Sequence, residues 1–178
     1  MRNIYAPTIL IVSLLFFSGT AIFPDEFSGA FTNAAAKSSR SVVNIITYKY
    51  ESESKNKPIS KTGYGSGTII TKSGYVVTNY HVVKKGNRYQ IILPDGKETD
   101  PILFPNKSYF VADEKTDLAI MKIDGDTHDL TPADFGDSDS LAPGQWVLAI
   151  GNPYGLRQSI TAGIISSTGR SDVGFTDI

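Results

Sequence analysis

From residue 42 to residue 123 the chain is a succession of short segments rich in β-branched and aromatic residues, parted at near-regular intervals by turn residues. That pattern is expected of a β-sandwich or β-barrel and leaves little room for a helical core. Strands are expected over 42–50, 67–71, 75–79, 89–93, 98–104, 109–111 and 118–123. Lys72-Ser73-Gly74 is a hairpin signal between two of them, and Pro94-Asp95-Gly96-Lys97 a strong turn. Residues 51–61 are polar, carry Pro58 and are expected to form an exposed loop. Before the strands, 25–41 is expected to be a short helix with Phe27, Phe31 and Ala34-Ala35 on one side. After them, 124–143 is acidic and turn-rich and reads as a linker. Two more strands, 145–150 and 159–168, look like the start of a second unit.

The N-terminus has a different character. Arg2 is its only charged side chain until Asp25, and Ile9-Leu10-Ile11-Val12 with Leu14-Leu15-Phe16-Phe17 forms an apolar block, followed by Ser18, Gly19, Thr20 and Ala21. A secretory signal peptide over 1–21 fits this order of charge, apolar block and small residues. An uncleaved membrane anchor is the competing reading, since the charge-free stretch is nearly long enough to span. Pro7 and the polar residues at both ends favour the signal peptide. With a leader, the chain is expected to be exported. It has no cysteine, which excludes disulfides, thiol chemistry and cysteine-ligated metals. A formal net charge of −1 gives no electrostatic case for nucleic acid.

Two polar residues carry candidate chemistry. His81 follows a strand in Thr78-Asn79-Tyr80-His81-Val82-Val83. The valines after it would pin the backbone while the ring faces a cleft, an arrangement that suits a general base. A histidine beside apolar residues is by itself more often structural. Asp117 opens the apolar run Leu118-Ala119-Ile120. A carboxylate there is costly to bury unless paired. It is either a strand-end cap or the acceptor for the Nδ1 proton of His81. Asp113, Glu114 and Asp124 are its rivals. Gly63-Tyr64-Gly65-Ser66-Gly67 precedes a strand rather than opening a helix, so its glycines point to tight barrel corners and close backbone approach and not to a phosphate cradle. His81 and His128 lack metal-ligand spacing, and His128 falls in the acidic linker; neither metal nor cofactor is expected.

Taken together, Ser66-Gly67-Thr68-Ile69-Ile70, Gly74-Tyr75-Val76-Val77-Thr78-Asn79-Tyr80-His81-Val82-Val83, Thr116-Asp117-Leu118-Ala119-Ile120, Val147-Leu148-Ala149-Ile150-Gly151-Asn152-Pro153-Tyr154-Gly155 and Thr161-Ala162-Gly163-Ile164-Ile165-Ser166 resemble the HtrA (Deg) serine proteases. The resemblance runs from about Ala34 to Arg170. It implies an all-β, trypsin-like fold of two β-barrels with the active site between them. The family's histidine and aspartate fall on His81 and Asp117. Its nucleophile lies in a Gly-Asn-Ser-Gly-Gly segment whose amides also form the oxyanion hole, and the 178 residues hold no such segment. Asp113-Glu114-Lys115-Thr116 stands where the family more often has an Asp-Pro pair before the aspartate. Gly136-Asp137-Ser138-Asp139-Ser140 begins like a trypsin nucleophile loop, but it lacks the paired glycines and falls in the linker, so Ser138 is not expected to be the nucleophile.

On this reading residues 1–21 are the signal peptide or anchor, 22–41 a helical segment, 42–124 a complete first barrel, 125–144 a linker and 145–178 the start of a second, incomplete barrel. The resemblance implies a trypsin-like serine endopeptidase of the periplasm or cell envelope acting on unfolded or misfolded proteins, possible trimers, and a truncated chain that is inactive alone without its serine. The alternative is a non-catalytic pseudoprotease that binds unfolded or partner proteins through open strand edges. A separate chain supplying the serine barrel is a third arrangement, which nothing in the sequence requires.

Overall fold

The structure is a computed structural model that describes residues 25–49, 60–99, 102–103, 110–123, 125, 127–152 and 158–169, with backbone alone at 25–27, 102 and 103. The expected leader, the loop at 51–59, Asp124 and the Pro153-Tyr154-Gly155 turn lie outside the described residues.

Helix α1 (Asp25–Ser39) leads into a sheet of seven strands. These are β1 (Val42–Lys49), β2 (Ser60–Ile69), β3 (Tyr75–Asn79), β4 (Arg88–Ile92), β5 (Ile102–Leu103), β6 (Phe110–Asp113) and β7 (Leu118–Lys122). A one-turn helix, α2 (Tyr80–Val83), interrupts the run between β3 and β4. All pairings are antiparallel, in the order β5-β4-β1-β2-β3-β7-β6. The sheet curls. Phe110 of β6, near one edge, stacks on Tyr89 of β4, near the other, with ring centroids 6.3 Å apart and planes 3° from parallel.

Period-two alternation decides what fills the curl. Val76, Ala119, Met121, Tyr89 and Ile91 point inward from β3, β7 and β4, and meet Val43, Ile45, Ile69 and Val83 in one apolar core. Each large aliphatic side chain buried there contributes about 1.5–3 kcal/mol. Strand β1 is buried on both faces, because β8 (Trp146–Gly151) lies against β1 and β2 from outside.

The hairpin expected at Lys72-Ser73-Gly74 is present, with Gly74 at φ +90°, a conformation that glycine adopts without strain. Strand β2 starts at Ser60, seven residues before the expected Gly67, because the glycine-rich stretch stays in the ladder with β1 rather than turning a corner. The expected close approach is there as well. A Cβ on Gly67 would lie 2.6 Å from Val76 Cγ1 and 2.9 Å from Ile45 Cδ1, and one on Gly65 would run into the Val82 side chain.

Strands β8 and β9 (Ser159–Ile164) form a separate two-stranded sheet. The segment before it contains a single 3₁₀ turn, Ser138–Ser140. Helix α1 packs on β8, with Phe31 edge-on to Trp146 at 5.6 Å.

Candidate active site

The site is assembled where β3 ends and β7 begins. Asn79 and Leu118 are paired in that ladder, so residues 80 and 117 leave the sheet side by side. The chain after Asn79 enters α2, whose first amides need acceptors from outside the helix. Asn79, at the N-cap position, makes no side-chain cap. Asp117 takes that part from 36 residues away: its carbonyl accepts Tyr80 N–H at 2.9 Å and its Oδ1 accepts His81 N–H at 2.8 Å. Its Oδ2 lies 2.7 Å from His81 Nδ1 and accepts Asn79 Nδ2–H at 3.1 Å.

Asp117 has φ +54°, and it is the one non-glycine residue with positive φ among those described. A left-handed residue costs about 1–2 kcal/mol, least for Asp and Asn. Here it aims both the carbonyl and the carboxylate at the same helix end, and the hydrogen bonds offset the strain.

An ionised carboxylate has no proton to donate, so His81 Nδ1 carries the hydrogen. Nε2 is left with its lone pair free, on a ring whose side chain is 60% exposed while that of Asp117 is 11% exposed. Burial pushes the Asp117 carboxyl up. The hydrogen bonds from the His81 amide and ring, the imidazole charge and the Asn79 amide outweigh it, and the group is held below its ordinary range.

The backbone behind the ring is fixed. Val83 is fully buried, Thr47 Oγ1–H donates to Val82 O at 2.8 Å, and Tyr89 O–H lies 2.6 Å from Val83 O and 2.9 Å from Gly86 O. Burial raises the Tyr89 phenol to about 12. Thr78 Oγ1–H donates to Ser66 O at 2.7 Å, and Ser66 Oγ accepts Asn152 N–H at 2.6 Å, which ties the strand under His81 to the end of β8.

The structure thus brings His81 and Asp117 together and leaves Asp113 and Glu114 out of the pair. Asp113 is exposed and accepts Lys115 N–H and Thr116 Oγ1–H, each at 3.0 Å, as a local turn residue. Glu114 is exposed, and Asp124 is outside the described residues. Ser138 is exposed in the 3₁₀ turn, with no bond to His81. His128 is exposed. Among the described residues no group of three His, Cys, Asp or Glu side chains could hold a metal ion. Sequence reasoning missed Asn79, Thr47 and Tyr89 as supports of the pair. Asn79, adjacent to the turn that carries His81, was the one with a local signal.

An antiparallel barrel-like sheet with a histidine–aspartate pair at one end is the arrangement of a trypsin-like peptidase. Residues 65–177 match the family described as trypsin-like peptidase domain, and the chain belongs to that family. The relatives it resembles carry DegP-like and HtrA-type protease names. It is 44% identical over 110 residues to a probable periplasmic serine endoprotease DegP-like of Brucella suis biovar 1 (strain 1330), covering 62% of this chain and 20% of that one. It is 46% identical over 110 residues, with the same coverage, to the protein of that name from Rhizobium meliloti (strain 1021). The solved structure of the HtrA-type protease AlgW with tripeptide superimposes with a TM-score of 0.67 at 35% identity, over 82% of this chain and 42% of that one. The chain spans about a fifth of the length of these curated relatives.

Proposed function

We propose that the chain is the His–Asp half of a serine endopeptidase of the cell envelope. His81 acts as general base through Nε2, and Asp117 holds the ring in the Nδ1–H tautomer and stabilises the imidazolium. The observation that carries this reading is the 2.7 Å Nδ1···Oδ2 contact made by a carboxylate that also grips the His81 amide. Ring and backbone are fixed by one side chain, so Nε2 stays aimed outward for a hydroxyl. The oxyanion hole and nucleophile belong to a Gly-Asn-Ser-Gly-Gly type of segment that the 178 residues do not contain. In this reading residues 42–124 are one barrel, 145–178 begin the second, and 1–21 serve as an export leader. The periplasmic naming of the relatives supports that location. The substrates are polypeptides.

The test is casein cleavage by the full-length protein. His81→Ala is expected to lower kcat by about 10⁶. Cleavage at the unsubstituted rate by that variant would refute the assignment.

A second reading, a non-catalytic binder of unfolded proteins, is favoured by the exposed apolar side chains of the small sheet, Trp146, Ile160 and Ile164. It predicts that the 178-residue chain suppresses aggregation of a denatured client at equimolar dose. A monomeric chain without that effect would count against it.

A further inference from the structure

Past the C-terminal end of α2 the surface is cationic. Among the described residues, a cleft of about 580 Å³ is lined by Lys49, Thr62, Lys84, Lys85, Gly86 and Asn87, with three ammonium groups and no carboxylate among them. This happens on a chain whose formal net charge is −1. The ion pairs Lys37–Asp134, His81–Asp117 and Lys97–Asp95 do not involve these lysines. All three lysines are exposed. The intervening residues 50–59 carry Glu51, Glu53, Lys55 and Lys57 and add no net charge.

The walls of the cleft are built, not loose. Thr62 Oγ1–H donates to Thr47 O at 3.2 Å, Thr47 Oγ1–H to Val82 O at 2.8 Å, and Asn87 N–H to Tyr48 O at 2.9 Å. These bonds lock β1, β2 and the turn after α2 into one frame. Lys84 Nζ sits 5.8 Å from the centre of the Tyr80 ring. Gly86 keeps the floor low, since a Cβ there would lie 2.8 Å from Tyr48 O.

The position matters as much as the charge. Lys84 keeps helical dihedrals at the end of α2 (φ −61°, ψ −21°) and so follows His81 at i+3, a spacing that puts side chains on neighbouring positions of a helix face, with Lys85 next in the chain.

We propose that this cleft is a cationic docking groove for carboxylate-rich stretches of the polypeptide presented to His81. The proposal rests on the peptidase reading above and names the substrate chemistry that would be recruited. Lysine ammonium groups are point charges on flexible stems. They suit a carboxylate-bearing extended chain whose sequence varies, and they act over about 10 Å at 0.1 M salt.

The test measures binding, so it does not depend on cleavage. A fluorescein-labelled peptide of alternating Glu and Ser is titrated with the protein at low salt, alongside the same peptide with Gln for Glu. The Glu peptide is expected to bind and the Gln peptide at least tenfold more weakly. Lys49→Gln/Lys84→Gln/Lys85→Gln is expected to weaken the Glu peptide by about tenfold or more, each exposed pair giving roughly two- to fivefold. The triple Arg variant is expected to retain binding, which separates lost charge from lost structure. Equal affinity for the two peptides, or no effect of the triple Gln variant, would overturn the proposal. Binding to phosphatidylglycerol vesicles without binding to the Glu peptide would overturn it too and assign the cleft to lipid. His81→Ala is expected to leave the peptide affinity unchanged. A failure of the peptidase reading therefore shows in casein cleavage alone, and a failure of the groove in binding alone.

Discussion

Replacing Asp117 by asparagine isolates what the carboxylate does. Asn tolerates φ +54° as well as Asp does and has the same shape, so backbone strain is conserved. Every group facing the Asp117 carboxylate is a donor: His81 N–H at 2.8 Å, His81 Nδ1 at 2.7 Å and Asn79 Nδ2–H at 3.1 Å. An amide has only one acceptor oxygen. Turned so that its NH₂ meets the His81 amide, it sets donor against donor within a helix end. Turned the other way, its oxygen keeps the His81 amide and its NH₂ faces the ring, which must then present Nδ1 as acceptor. The second orientation costs less, so the histidine is expected to switch to the Nε2–H tautomer. Nε2 then has no lone pair for a hydroxyl proton.

One charge-assisted bond becomes neutral, one reverses, and Asn79 Nδ2 loses its charged acceptor. Together these are expected to cost about 2–4 kcal/mol. For a chain of this size that lowers Tm by about 4–16 °C. The assay is a long-range ¹H–¹⁵N spectrum of ¹⁵N-histidine protein at about pH 8, above the usual histidine range, together with a thermal melt. If the His81 ring stays Nδ1-protonated in the variant and Tm moves by less than about 1 °C, the reasoning is wrong. In an assembled Ser-His-Asp triad the same change costs about 10⁴ in kcat.

The same carboxylate sets an acid limit. Its titration is depressed in the folded chain, so the unfolded chain takes up the proton first as pH falls. The stability it contributes is present above the ordinary carboxylate value of about 3.9 and is lost as pH drops below that through the folded titration. Urea melts of the unsubstituted chain and Asp117→Asn should converge there. Tyr89→Phe removes the hydroxyl that serves Val83 O and Gly86 O and is expected to cost about 1–3 kcal/mol by urea melts. The folded phenol is raised to about 12, so the unfolded chain ionises first. The unsubstituted chain should lose stability as pH rises from about 10 towards 12, an alkaline loss that Tyr89→Phe lacks. Gly86→Ala drives a Cβ into the Thr47 methyl and to 2.8 Å from the Tyr48 carbonyl oxygen, and should cost about 1–3 kcal/mol, read as a lower urea midpoint at unchanged slope.

Much of the sheet was legible because strand signals are local. Alternation and turn residues gave β3 at its observed bounds and β4 and β7 within a residue at each end. Strand β2 was misjudged because glycines read as corners unless one sees what fills the space beside them. Here Val82, Val76 and Ile45 do. The site was half legible. His81 and Asp117 are each ambiguous in isolation, and the family resemblance, not their spacing, selected them over Asp113 and Glu114. Asn79 had the signal of its place beside His81, whereas the roles of Thr47 and Tyr89 had none, because each is defined by a carbonyl elsewhere in the fold.

The amino-acid sequence by itself determined where most of the chain extends, where it turns, and that two valines follow His81 directly after a strand. These are properties of neighbouring residues and of their period along the strand. Only the tertiary structure decided that Asp117 adopts a left-handed backbone, caps α2 from 36 residues away and points one oxygen at the imidazole. It also gathered Lys49, Lys84 and Lys85 around one cleft. Both outcomes depend on antiparallel register, which sets distant residues side by side once the sheet has closed around its core, and no local preference encodes it.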